Sequence, residues 1–258
     1  MSKPGKIYFI GGGPGDPSLI TVKGGELLAR ASLVLAPGFF RETYAPLLAG
    51  KECLDPFDFH HAELVEKIKS YLDEGRDVAF LVPGDLAIFS PVQSIIDCFR
   101  GSAEVVPGVS AMNAASAVLK RTFDLPGVSH STIATSPKTI TGSPDTIAAL
   151  SKHQSTMVLF MNNKPAGELS AELSEGYGPD TPVAVIYSIS MPGQEVVMTT
   201  LSRLAADVDP ERFGDEDVFK LVVVGAVLTA TEDPAWWDRR KDMRDARHAA
   251  KKARVENT

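Results

Sequence analysis

Three glycine-rich turns, each placed directly after a short apolar run, constrain this chain more than any other feature. The runs are residues 6–10, 77–82 and 103–106. The turns are Gly11-Gly12-Gly13-Pro14-Gly15-Asp16-Pro17, Pro83-Gly84-Asp85 and Pro107-Gly108-Val109-Ser110. A buried strand that breaks into a glycine turn and then a helix is the unit of an α/β domain. In an open α/β sheet such turns gather at the carboxyl ends of the strands, where ligands bind. Glycines there are expected to let a ligand approach bare backbone.

The alternation extends well beyond the turns. Residues 21–31 carry Val22, Leu27, Leu28 and Ala31 at helical spacing behind Thr21, a good N-cap. Residues 33–35 read as a strand, 61–72 as an amphipathic helix through Leu64, Val65, Ile68 and Leu72, and 92–99 as a further helix. Residues 111–119 are alanine-rich, which predicts a helix lying close on the sheet. The texture changes near residue 125. Beyond it come strands at 131–134, 156–160, 182–187, 195–200 and 220–224, and a helix at 165–173.

The expected architecture is therefore two α/β domains, with a mostly parallel N-terminal sheet, a mixed C-terminal sheet and the active-site cleft between them. The boundaries read as 1–125, 126–238 and a basic helical or frayed tail at 239–258, which holds eight Lys or Arg against three Asp or Glu.

Composition narrows the function. With 258 residues, 44% of them hydrophobic, the chain can bury a large core without staples. Cys53 and Cys98 stand apart with no CxxC, which fits two ordinary thiols in a reducing, cytoplasmic setting. No apolar run approaches the roughly 20 residues of a membrane span, and the N-terminus reads as a first strand and not a signal peptide. A net charge of −7 argues against a general nucleic-acid binder. The adjacent His60-His61 pair lacks metal-ligand spacing, so no metal site is expected.

The first turn invites a nucleotide reading and fails it. Asp16 occupies the last glycine position of the dinucleotide fingerprint, no Gly-Lys-Ser/Thr follows, and Pro14 removes an N–H that a pyrophosphate needs. Backbone groups with two acidic residues favour a ligand that carries hydroxyls and a positive charge. S-adenosylmethionine has that chemistry.

At these residues the chain closely resembles the S-adenosylmethionine-dependent tetrapyrrole (corrin and porphyrin) methyltransferases, over residues 6 to about 228. The resemblance rests on six ordered marks. They are the Gly-x-Gly-Pro-Gly-Asp-Pro opening; Gly84-Asp85 with Ile88 and Phe89; Val106 to Ala111; Thr156 to Met161; Pro179 to Val185; and Leu221 to Gly225. Within the family the chain is most similar to the precorrin-4 (carbon-11) methyltransferases of cobalamin synthesis. It departs from the family pattern at Leu86, Phe89, Ser90, Ser136, Asn162 and Ser188, mostly on the substrate side.

The resemblance implies that Pro14 lies beside S-adenosylmethionine, that Pro83, Gly84, Asp85 and Ile88 wrap its methionine and ribose, and that Ser110 and Ala111 line the same cleft. Met161 and Ile189 would bracket the adenine through backbone contacts; plain core packing is the competing reading for both. S-adenosylhomocysteine would be the product. Asp16 and Asp85 are the candidates for a general base, against capping or cofactor binding as alternatives. A polycarboxylate tetrapyrrole asks for cations, and Arg41, Lys138 and Lys164 are the candidates, with Arg121 and His130 behind them. The family resemblance also implies a homodimer. The competing functions are a methyltransferase of the same fold acting on RNA, protein or peptide, and a non-catalytic binding protein.

Overall fold

The computed structural model describes residues 4–138 and 144–256. Residues 139–143, within the polar stretch 135–144, lie outside them. Two five-stranded sheets divide the chain.

The first sheet contains β1 (Ile7–Gly11), β2 (Leu33–Leu35), β3 (Glu52–Leu54), β4 (Val78–Val82) and β5 (Ala103–Val106), in the order β3-β2-β4-β1-β5. Every pairing is parallel. Parallel strands need helical crossovers that cover both faces, and the residues supply two apolar layers. On one face Ile7, Phe9, Leu35 and Phe80 pack with Leu64 and Ile68 of a helix at His61–Asp73 and with Ile95 of one at Gln93–Cys98. On the other, Tyr8, Ile10, Val34 and Leu81 meet Leu27 and Leu28 of a helix at Val22–Arg30, together with Phe40, Tyr44 and Leu48. In chain order these helices and two short ones are α1 (Val22–Arg30), α2 (Gly38–Thr43), α3 (Ala45–Leu48), α4 (His61–Asp73) and α5 (Gln93–Cys98). Thr21 caps α1, its hydroxyl accepting from Gly24 N–H at 3.1 Å. His60 and His61 start α4, where Glu63 accepts from the His60 N–H at 2.9 Å.

The second sheet contains β6 (Thr132–Thr135), β7 (Thr156–Phe160), β8 (Pro182–Tyr187), β9 (Glu195–Thr200) and β10 (Lys220–Val224), in the order β6-β7-β10-β8-β9. Only β6 and β7 pair in parallel; the other pairings are antiparallel. One face carries α7 (Ile147–Ser151), α8 (Ala166–Leu173), α9 (Leu204–Asp207) and α10 (Pro210–Gly214), through Ile147, Leu169, Leu204 and Phe213.

The other face of this sheet is covered by the alanine-rich helix α6 (Ala111–Leu119). Its Ala114 and Ala115 join Val158, Ala184, Ile186, Leu221 and Val223 in one buried cluster. This corrects the expectation that the helix closes on the first sheet. Small side chains do bring it close to a sheet, but to the second. A last helix, Ala235–Glu256, leaves the body with Trp237 and Met243 exposed.

Candidate active site at the facing strand ends

The three glycine turns are knitted into one rigid shelf at the carboxyl ends of β1, β4 and β5. Gly12 N–H donates to the Val82 carbonyl at 2.7 Å, while Gly13 and Gly84 exchange backbone hydrogen bonds at 3.1 and 2.8 Å. Asp85 ties the second turn to the third: one carboxylate oxygen accepts from Gly108 N–H at 2.7 Å and the other from Ala87 N–H at 2.9 Å. A Cβ on Gly108 would lie 2.3 Å from the Gly84 carbonyl oxygen and 2.6 Å from the Gly11 Cα, and one on Gly11 would lie 2.5 Å from the Gly108 nitrogen. The reason for glycine at 11 and 108 is therefore backbone pressed on backbone, not the approach of a ligand. Gly84 differs. It sits at φ +66°, and a Cβ there would meet Ser110 Cα only at 3.8 Å, so its face toward Ser110 and Ala111 is open.

Three further groups hold the shelf and its flanks. The buried Tyr44 hydroxyl donates to the Gly12 carbonyl; burial, with Asp16 adding to it, pushes that phenol up to about 12. Asp16 accepts from Ser18 N–H at 2.8 Å and so caps a short turn at Pro17–Leu19. Ser110 accepts from Met112 N–H at 3.3 Å and caps the helix that follows.

The carboxyl ends of β7 and β8 face this shelf. Asp16 N–H donates to the Ser190 hydroxyl at 3.1 Å. Met191 packs so closely on Gly15 that a Cβ there would lie 2.2 Å from its Cγ. Two aromatic pairs also bridge the halves: Phe89 with Phe160, centroids 5.1 Å apart, and Phe39 with Phe219, 4.9 Å apart. Ile189 is buried in the same cluster as Ala111 and Phe160, and Met161, half-exposed, follows directly after Phe160. Phe89, Met161, Ser188 and Ser190 all adopt positive φ, between 48° and 56°. Such non-glycine outliers cost on the order of 1–3 kcal/mol each and gather at ligand sites. The structure thus brings Pro14, Pro83, Gly84, Asp85, Ile88, Ser110, Ala111, Met161 and Ile189 to one cleft, whose walls at 11–21, 83–92, 107–111, 160–163 and 188–194 contain no Lys or Arg.

Residues 6–205 match the family model described as tetrapyrrole (corrin/porphyrin) methylases. The chain belongs to that family. This methylase is 35% identical over 235 residues to the precorrin-4 C(11)-methyltransferase of Mycobacterium tuberculosis, covering 87% of this chain and 92% of the relative. It is 32% identical over 236 residues to the cobalt-precorrin-4 C(11)-methyltransferase of Methanocaldococcus jannaschii, covering 88% and 90%. Among solved structures, a cobalt precorrin-4 methyltransferase described as a cobalamin biosynthetic enzyme superposes with a TM-score of 0.79 at 29% identity, covering 87% of this chain and 96% of that one. A uroporphyrin-III C-methyltransferase from Thermus thermophilus, complexed with S-adenosylhomocysteine, gives 0.67 at 25% identity, covering 87% and 99%.

The cations expected to hold a polycarboxylate stand on three separate segments of the methylase, and each is already paired. Arg41 of α2 faces Asp55 at 3.4 Å, Lys138 faces Glu216 at 2.9 Å, and Lys164 lies between Glu168 and Glu172 at 2.6 and 2.7 Å. Glu216 holds the Lys138 ammonium above its ordinary range, and Glu168 with Glu172 does the same for Lys164. Arg121 donates to the Ala230 carbonyl at 2.7 Å. Asn162, where the family pattern has glycine, is fully buried and braces the turn after β7 by donating to the Lys164 carbonyl at 2.9 Å.

Sequence reasoning missed Tyr44, Phe39, Met191 and Phe219. Tyr44 and Phe39 lie in a stretch with no helical period, and all four act on partners from 32 to 180 residues away that no local pattern reveals.

Proposed function

We propose that this chain transfers the methyl group of S-adenosylmethionine to a ring carbon of a precorrin-4-type tetrapyrrole, carbon 11 by likeness to its relatives, as a step of cobalamin biosynthesis. The observation that carries the reading is the shelf of three interlocked glycine turns facing the ends of β7 and β8. It occurs in a chain that aligns along nearly its whole length with precorrin-4 methyltransferases. The donor set fits the cofactor. Acceptors and apolar groups without a cation suit an ammonium, a sulfonium and ribose hydroxyls, while the methionine carboxylate would have to take backbone N–H donors. Pro83, Gly84 and Ile88 with Ser110 and Ala111 would hold the methionine and ribose, and Met161 and Ile189 the adenine. Bound there, the cofactor supplies an already activated methyl group.

The protein then has little chemistry left to perform. Its residues fix the direction of approach, which is catalysis by proximity and orientation. Asp85 and Asp16 act as struts of the shelf, since their carboxylates accept backbone N–H groups. The chain works as a cytoplasmic homodimer in this proposal. Incubation with labelled S-adenosylmethionine and enzymatically prepared precorrin-4 tests it: mass spectrometry should show one added methyl on the tetrapyrrole. Label found only in RNA or protein would move the function to another substrate class. Absence of S-adenosylhomocysteine binding by calorimetry would leave only a binding scaffold.

A further inference from the structure

Arg41, Lys138 and Lys164 are each paired with a carboxylate, and the cleft mouth also offers aromatic surface. Phe89 and Phe219 belong to different halves of the molecule and each meets a ring of the opposite half, yet they remain 40% and 50% exposed. Rings that served only to glue the halves together would bury both faces. Phe89 is moreover held at φ +53°, a conformation that a bulky side chain adopts only when its surroundings impose it. Between the segments bearing Phe39 and Phe89 lies an apolar cavity of about 200 Å³, lined by Pro37, Phe57, Pro83, Pro91 and Val92 among others. Pro37 and Pro91 lie two residues from Phe39 and Phe89 in sequence, and Pro83 of the glycine shelf lines the same cavity. At its rim Asp55, next to the lining residue Pro56, holds Arg41.

We infer that Phe89 and Phe219 are substrate-positioning residues, whose exposed faces carry the conjugated face of the tetrapyrrole and present one ring carbon to the cofactor shelf. This rests on the methyltransferase reading above and adds to it the surface that orients the substrate. Neither ring exchanges protons or electrons; each contributes contact area and stacking, while the carboxylates of the macrocycle stay at the solvent edge. The departure from the family's tyrosine at Phe89 keeps the ring and drops only its hydroxyl.

The test compares the parent with Phe89→Ala, Phe219→Ala and the conservative Phe89→Tyr. Uroporphyrin III serves as a fluorescent tetrapyrrole probe, S-adenosylhomocysteine as a calorimetric control, and precorrin-4 as substrate. Each alanine variant should weaken uroporphyrin III binding and raise KM for precorrin-4 about tenfold, with kcat and S-adenosylhomocysteine affinity within threefold of the parent. Phe89→Tyr should keep the parent's values. Alanine variants that bind uroporphyrin III within twofold of the parent would overturn the inference while leaving the methyltransferase reading intact. Variants that lose S-adenosylhomocysteine affinity in parallel with tetrapyrrole affinity would overturn it too, because the rings would then be structural glue. A parent that binds S-adenosylhomocysteine but no tetrapyrrole would sink both.

Discussion

Replacing Gly108 with alanine tests the physical basis of the cofactor shelf. The added Cβ would lie 2.3 Å from the Gly84 carbonyl oxygen and within 2.7 Å of two Gly11 backbone atoms. All are main-chain atoms at the ends of paired parallel strands, so no side chain can rotate away. Relief requires β5 to move from β1, which breaks the 2.7 Å hydrogen bond from Gly108 N–H to Asp85. Overpacking against a rigid wall costs typically about 1–3 kcal/mol, and loss of a hydrogen bond to a charged acceptor adds roughly 1.5–3 kcal/mol. A total near 3–5 kcal/mol corresponds to a fall in Tm of about 6–20 °C for a chain of this size. Gly101, just before the same strand, is the matched control. A Cβ there meets nothing within 4 Å, so Gly101→Ala should be neutral or stabilising by about 0.4–1 kcal/mol through the unfolded chain. Scanning calorimetry gives the two Tm values, and titration with S-adenosylhomocysteine should show at least a tenfold loss for Gly108→Ala alone. If Gly108→Ala melts within 2 °C of the parent and binds S-adenosylhomocysteine equally, the interlocked backbone is not what shapes the cleft.

Three other outcomes are expected. Asp85→Ala should destabilise the fold by about 2–3 kcal/mol in urea unfolding, since two backbone donors lose their acceptor, whereas Asp85→Asn should keep at least a tenth of the parent's kcat; a hundredfold loss in the asparagine variant with unchanged stability would instead make Asp85 the general base. The Tyr44 phenol is raised from 10.0 to about 12 by burial, so its contribution to stability is complete below pH 10 and is lost as pH rises through 12; Tyr44→Phe should flatten the alkaline limb of the stability curve, and an unchanged limb would refute the link. Asp207 is held down to about 2 by Arg203 and by the Thr199 hydroxyl, so its contribution is present above the ordinary carboxylate range and is lost as pH falls toward 2; thermal melts of Asp207→Asn should lose part of the parent's drop between pH 4 and pH 2.

Much of this was legible in the chain. Runs such as Val78–Val82 are continuously apolar because both faces of a parallel sheet are covered, and such runs announce themselves without a partner. Thr21 marked the start of α1 because an N-cap acts on an N–H only three residues away. The six ordered marks pointed to the glycine turns, which the structure interlocks at the strand ends, because such turns are contiguous in sequence.

Other features were decided by contacts between segments far apart. Strand direction in the second sheet depends on which neighbours pair, and β10 lies between β7 and β8 although it follows both. The alanine-rich helix could have closed on either sheet; the match of Ala114 and Ala115 to Ala184 and Ile186 placed it on the second. The cations chosen as substrate ligands looked free because their carboxylate partners are 4–78 residues away, and the glycines at 11 and 108 looked open because their obstacle is each other. The sequence by itself determined the local units and the chemistry of the turns, because those depend on dihedral preference and nearest neighbours. Only the tertiary structure decided which groups are spent on one another and which faces, such as those of Phe89 and Phe219, stay exposed.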